Sequence, residues 1–267
     1  MGVECEAGQV SQAMIDMRTI TTHNTRAGES VILCDPSLPA QVDDSWFAPA
    51  RGPGNATVVG GRGSAWVVAT PMGEAVLRHY RRGGLVARLL RDRYLWTNLE
   101  ASRPYEELQL LLWMHAQKLP VPTPIAARVQ RSGMFYRGDL LTLRLADTRT
   151  MAQLLADSTL DAEFMGRIGA TIADFHRLGV CHADLNAHNI LVGDRVYLID
   201  FDRGRRREPA ADWQRANLDR LQRSLRKLSA GTKGVDAVAW AALERGYATR
   251  QARTPPPLGS AQPEARL

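Results

Sequence analysis

One stretch, residues 180–205 (VCHADLNAHNILVGDRVYLIDFDRGR), constrains this chain more than any other. His182 and Asp184 open a polar turn, Asn189 follows five residues after Asp184, and the apolar run 190–192 begins at once. A short polar turn at 193–195 leads to a second apolar run, 196–199, which ends on Asp200. The pattern predicts loop, strand, tight turn, strand, with Asp200 at the end of the second strand. That layout sets one carboxylate, Asp184, to orient a hydroxyl. It sets an amide, Asn189, and a second carboxylate, Asp200, to hold a divalent metal on nucleotide phosphates. Phosphoryl transfer is mostly positioning and charge neutralisation, and these three groups meet its needs. The competing explanation is a β-hairpin whose Asp and Asn only cap turns.

The spacing resembles the protein-kinase catalytic loop, H-x-D-x-x-x-x-N, followed by a D-F-G-like triplet. It departs twice: Ala183 stands where that loop has Arg, and Asp202 stands where the triplet has Gly. The loop spacing, an apolar strand and a second Asp opening D-F-x coincide within one short segment. That coincidence favours the kinase reading over turn capping.

With 267 residues the chain can bury a full core, as one domain or as two lobes sharing a cleft. No apolar run approaches the ~18 residues that span a bilayer, and nothing resembles a cleavable signal peptide. Three cysteines (Cys5, Cys34, Cys181) form no C-x-x-C pair, which fits a reducing cytoplasm. The net charge of +6 favours anionic partners: nucleic acid, anionic lipid or phosphorylated glycans. Lysine occurs only at Lys118, Lys227 and Lys233, so 34 − 3 = 31 of the basic residues are arginine. Genomic base composition also produces such a skew, so arginine counts alone carry no functional argument.

Ahead of the catalytic stretch the parts follow in a kinase's order. A strand is expected at 30–34, and three antiparallel strands at 57–60, 65–69 and 74–80. Gly60, Gly61 and Gly63, with Arg62 and Ser64, form the first turn, where glycines let backbone N–H groups approach phosphates. A glycine hairpin alone is usually structural, so order along the chain gives this one its weight. A lysine normally pairs with the phosphates from the third strand. No lysine precedes Lys118, and Arg78 is the cation in that place. Its guanidinium can bridge a phosphate and a carboxylate. Residues 102–117 read as a helix with Leu108, Leu111, Leu112 and His115 on one face. Glu107 is the preferred carboxylate partner for Arg78, with Glu106 as its rival.

The proline-rich stretch 119–125 predicts an extended connection. Strands at 127–130 and 140–145, a hinge at 146–149 and a helix at 150–156 follow. A patterned helix at 161–178, with Asp161 as N-cap and Gly179 as stop, leads straight to the catalytic loop. Only about eight residues separate Asp202 from the next helix, 212–228, too few for a peptide-clamping activation segment; the kinase template carries one. A protein acceptor is therefore disfavoured. A last helix at 235–247 precedes a tail from 251 that is expected to be disordered.

With these pieces in hand, the sequence resembles the bacterial 3-deoxy-D-manno-octulosonic acid (Kdo) kinases of lipopolysaccharide inner-core assembly, over residues 28–228. The resemblance rests on GRGSAW, VLRHYRRGG, DRYLW, LPVPTPIAA, YRGDLL, HADLNAHNIL and LIDFDRGR. It implies an α+β, protein-kinase-like two-lobed fold. A small antiparallel-sheet N-lobe would occupy 28–145 and a mainly helical C-lobe 146–250, between an N-terminal extension (1–27) and a tail (251–267). It implies ATP and Mg2+ as cofactors and phosphorylation of the 4-hydroxyl of a Kdo residue on lipid A or its precursor. The site would comprise Asp184 as catalytic residue and Asn189 and Asp200 as metal ligands. Gly60, Gly61, Arg62, Gly63, Ser64, Arg78 and Glu107 would surround the nucleotide. Asp202 is open between a further metal ligand and an acceptor for a nearby arginine. Location at the cytoplasmic face of the inner membrane, as a peripheral protein, agrees with basic clusters at 78–82, 88–93 and 203–207, which suit an anionic membrane surface. No nucleic-acid partner is expected. Three rivals stand beside this one: a core heptose kinase, a small-molecule kinase of the aminoglycoside type, and a basic membrane- or nucleic-acid-binding protein with a degenerate kinase fold.

Overall fold

Alternating apolar and polar residues in the first half of the chain build an antiparallel sheet. The computed structural model describes residues 17–24, 28–35, 37–38, 42–48, 65–81, 92–229 and 235–253. The expected strand 57–60, the turn carrying Gly60, Gly61, Arg62, Gly63 and Ser64, most of the basic cluster 88–93 and the tail beyond 253 lie outside the described residues. The strands are β1 (Arg18–Asn24), β2 (Gly28–Cys34), β3 (Ala65–Thr70), β4 (Gly73–His79), β5 (Tyr94–Leu95), β6 (Pro124–Ser132) and β7 (Phe135–Leu143). Their spatial order is β1-β2-β6-β7-β4-β3, with β5 added on β7. Strand β1 pairs with β2 from Arg18↔Cys34 to Asn24↔Gly28. The sheet thus reaches back into the segment expected to be an N-terminal extension. Strand β6 starts at Pro124, inside the stretch expected to be only a connection.

The two faces of this sheet are covered differently. On the outer face, Ala75 and Leu77 of β4 pack with Val68, Ile125, Leu141, Trp46 and Phe47. The last two come from a 3-10 turn, Asp44–Phe47, capped by the Asp43 carboxylate accepting from Ser45 N–H. On the inner face lies helix α1 (Arg103–Ala116), which buries Leu108, Leu110, Leu111, Leu112 and Met114. His115, expected on that buried face, is exposed, and Met114 takes the inward position. Arg78 falls between Leu77 and His79 on β4, so the period of two turns it to the α1 side.

The second half is mainly helical: α2 (Met151–Ala156), α3 (Ala162–Arg177), α4 (Ala211–Leu228) and α5 (Ala237–Gln251). Helix α3 starts as expected, with Asp161 accepting from Phe164 N–H at 2.8 Å. It stops at Gly179, whose φ of +74° favours glycine and whose added Cβ would lie 2.1 Å from the Arg207 carbonyl oxygen. That close approach allows β9 (Val180–Cys181) to pair with β12 (Arg205–Arg206), closing the 182–204 loop region at its base. Within it, β10 (Ile190–Val192) pairs with β11 (Val196–Leu198) and with β8 (Arg149–Thr150). Helix α4 buries Trp213, Asn217, Leu218, Leu221 and Leu225. Leu228, expected to extend that apolar face, is partly exposed. Among the described residues no helix is long and apolar enough to cross a membrane.

Candidate active site

The cleft between the two lobes gathers the singled-out side chains around Arg78. Its Nη2 donates to Glu107 Oε2 of α1, and its Nη1 donates to Asp200 Oδ1 at 2.6 Å. Tyr80, two residues on and on the same face, donates its hydroxyl to Glu107 Oε2 at 2.6 Å. Its ring also lies 4.6 Å from the guanidinium carbon. The structure brings Glu107, not Glu106, to Arg78: Glu107 is buried and Glu106 is exposed. Burial pushes the Glu107 carboxyl up to about 7, against the downward pull of Arg78. Glu107 and Asp200 together hold the Arg78 guanidinium well above its ordinary value despite its burial, so it stays a cation.

Asp200 has a left-handed backbone, φ +63°, a region that aspartate tolerates better than most residues and that recurs at functional turns. The next residue, Phe201, is fully buried against Phe175 of α3 and the His182 ring. Asp202 accepts from Arg103 Nη1 at 3.0 Å. Of the two roles left open for it, acceptor for a nearby arginine is the one the contacts display. Its other oxygen, Oδ1, is buried without a hydrogen-bond partner among the described residues. Arg103 is the first residue of α1 and lies over the Tyr94 ring at 4.7 Å. The helix bearing Glu107 is thereby tied to the turn bearing Asp200.

The loop 182–189 is held from within and from below. His182 Nδ1 accepts from Asp184 N–H at 3.1 Å, so its proton sits on Nε2, which donates to the Ile199 carbonyl at 3.0 Å. Burial holds the imidazole below its ordinary value, in keeping with this neutral tautomer. Asn189 Nδ2 donates to the Asp184 carbonyl at 3.0 Å, and its own carbonyl accepts from Ile199 N–H, which sets Asn189 beside the run into Asp200. Asn186 Nδ2 donates to Asp184 Oδ2 at 3.1 Å. From α4, Asn217 Oδ1 accepts from His182 N–H at 3.1 Å and Ser224 Oγ accepts from Ala187 N–H at 3.3 Å. Arg220 of the same helix donates to Asp184 Oδ1 at 3.2 Å.

An amide and a carboxylate are hard oxygen donors of the kind magnesium takes, and two protein ligands leave room for phosphate oxygens and water. No group of three or more His, Cys, Asp or Glu forms a metal cage among the described residues. A metal here therefore fits as one shared with nucleotide phosphates.

Sequence reasoning missed Tyr80, Arg103, Asn186, Asn217, Arg220 and Ser224. A polar stripe at 217, 220 and 224, winding beside Leu218, Leu221 and Leu225, was the legible sign that one edge of α4 meets something polar. The basic clusters also need correction, because Arg78 points into the cleft and Arg206 stacks on Trp113 at 4.0 Å.

Comparison with known proteins adds the following. Residues 56–247 match the lipopolysaccharide kinase (Kdo/WaaP) family. A 3-deoxy-D-manno-octulosonic acid kinase of Xanthomonas campestris pv. campestris (strain B100) is 45% identical over 219 residues, 78% of this chain and 85% of that protein. The kinase of the same name from Xylella fastidiosa (strain 9a5c) is 45% identical over 214 residues, 79% and 85% of the two chains. A solved structure, WaaP in complex with acyl carrier protein, superposes with a TM-score of 0.47 at 18% identity, over 72% of this chain and 78% of that one.

Proposed function

The chain belongs to the lipopolysaccharide kinase (Kdo/WaaP) family, and from that premise we propose that it transfers the γ-phosphoryl group of ATP to the 4-hydroxyl of a Kdo residue on lipid A or its precursor. It is a lipopolysaccharide core kinase, and the acid sugar is taken from the names of its relatives. The observation that carries the chemistry is the convergence of Arg78 on both Glu107 and Asp200, residues that lie 29 and 122 positions away.

Arg78 neutralises the nucleotide phosphates, and Glu107, held by Tyr80, keeps the guanidinium in place. Asn189 and Asp200 hold Mg2+, which when bound spreads the charge of the phosphate oxygens. Asp184 accepts the hydrogen bond of the sugar hydroxyl and aims its oxygen in line with the γ-phosphorus. His182, neutral and bonded to both Asp184 N–H and Ile199 O, keeps the loop in register with the metal-binding turn. The enzyme works at the cytoplasmic face of the inner membrane.

The test is transfer of label from ATP, with Mg2+, to a Kdo-bearing lipid A precursor, to the same precursor without Kdo, and to a heptose-bearing core. Label on the Kdo-bearing glycolipid, and none on the Kdo-free one, is the expected result. Label that requires heptose would move the assignment to a core heptose kinase.

A further inference from the structure

Helix α4 meets the catalytic loop at three points, and one of them differs in kind. Asn217 is buried and Ser224 half-buried, as suits residues that hold up a loop. Arg220 instead lies in solvent: its side chain is 48% exposed and that of Asp184, its partner, 63%. An ion pair this open adds little to stability, so support of the fold is a weak reason for it. It also engages the oxygen Oδ1 of the group that must meet the acceptor hydroxyl, while Asn186 engages Oδ2.

The acceptor explains what such an arginine is for, and here the argument rests on the proposed function. A Kdo residue is an acid, so its phosphorylation requires a sugar carboxylate to come close to the Asp184 carboxylate. Like charges at that range repel, and an adjacent cation removes the penalty. A neutral sugar would need no such cation. One guanidinium carries five N–H donors in a planar fork, so Arg220 can keep Asp184 and take a second carboxylate as well. Arg223, one turn further along α4, is also exposed and serves as the control for a second charge on the same helix.

We infer that Arg220 is the residue that reads the carboxylate of the acceptor sugar, bridging it to Asp184 and so placing the sugar hydroxyl at the catalytic carboxylate. The selection of an acidic over a neutral sugar is made on helix α4.

The experiment compares two acceptors, the Kdo-bearing lipid A precursor and its Kdo methyl ester, on the wild-type enzyme and on Arg220→Met, Arg220→Lys and Arg223→Met. For the wild type, KM should rise on esterification by tenfold to a hundredfold, on the order of one charge-assisted hydrogen bond. Arg220→Met should show the raised KM already on the acid and no further rise on the ester, with KM for ATP unchanged. Arg220→Lys should keep part of the discrimination, and Arg223→Met should keep all of it. The inference is overturned if Arg220→Met retains the wild-type ratio between acid and ester. It is also overturned if Arg223→Met erases that ratio equally, since the effect would then be a diffuse field. Should the wild type phosphorylate neither acceptor while binding ATP, the function proposed above fails and takes this inference with it.

Discussion

At the scale of single residues, the cleft is organised by charge that has nowhere else to go. Arg78 is 20% exposed and remains a cation, so it must find carboxylates, and the two it finds come from opposite lobes. Asp184, more than half exposed, is free to meet a substrate, and Asp184→Ala should lower phosphoryl transfer by about 10²–10⁴-fold. Nucleotide titration of the same variant should give near wild-type ATP affinity, whereas Asp200→Ala should lose the metal-dependent part of that affinity. Near-normal turnover in Asp184→Ala would remove the assigned role. Which carboxylate pairs with Arg78 was only half legible in the sequence. Glu106 and Glu107 are neighbours, and helical phase relative to a strand elsewhere in the chain selects between them. The role of Arg220 was not legible beyond the polar edge it shares with Asn217 and Ser224, because an arginine on an exposed face looks the same whether or not a loop passes over it.

At the scale of elements, helix contacts decide how firmly the loop is held. Asn217 is the acceptor for the buried His182 N–H, and Asn217→Ala leaves that donor unpaired, at a cost of about 1–3 kcal/mol. Chemical denaturation should show that loss, accompanied by a fall in kcat larger than any change in KM for ATP. A second prediction concerns the crossing of α3 and α5, where a Cβ on Gly169 would lie 2.0 Å from the Leu243 carbonyl oxygen. Backbone cannot yield as a side-chain tip can, so Gly169→Ala should force the helices apart and lower stability by roughly 1–3 kcal/mol. A thermal melt unchanged in Gly169→Ala would contradict that packing. Helix α3 itself was readable from its apolar period, its Asp161 cap and its Gly179 stop. The glycine contacts were not, because nothing in a local pattern says which helix will cross it.

At the scale of the whole molecule, two buried groups pull stability in opposite directions with pH. His176 is buried beside Trp213 and Tyr247, and desolvation lowers it from 6.5 to about 4. As pH falls from 6.5 to 4 the unfolded chain takes up this proton and the folded chain does not, so stability is lost, on the order of 3 kcal/mol at most. Glu107 has the opposite sign: the folded carboxyl gains its proton near 7, the unfolded one only near 4.5, so acidification across that window favours the folded state. Removing the titratable proton at Glu107 should therefore expose the histidine's effect. Glu107→Gln should lose melting temperature more steeply than wild type between pH 6.5 and 4, and His176→Phe less steeply. Equal slopes in all three proteins would refute the assignment. What the sequence determined by itself was local: the loop–strand–turn–strand unit carrying Asp184, Asn189 and Asp200, the cation on the strand, the apolar helix faces, and the family motifs that point to the reaction. These follow from spacing along the chain, because period and turn chemistry act over a few residues. The tertiary structure alone decided the pairing of Arg78 with Glu107 and Asp200, the tie from Arg103 to Asp202, and the seating of α4 beneath the catalytic loop. Each joins residues from 29 to 122 positions apart, and burial and charge act through space, where sequence separation carries no weight.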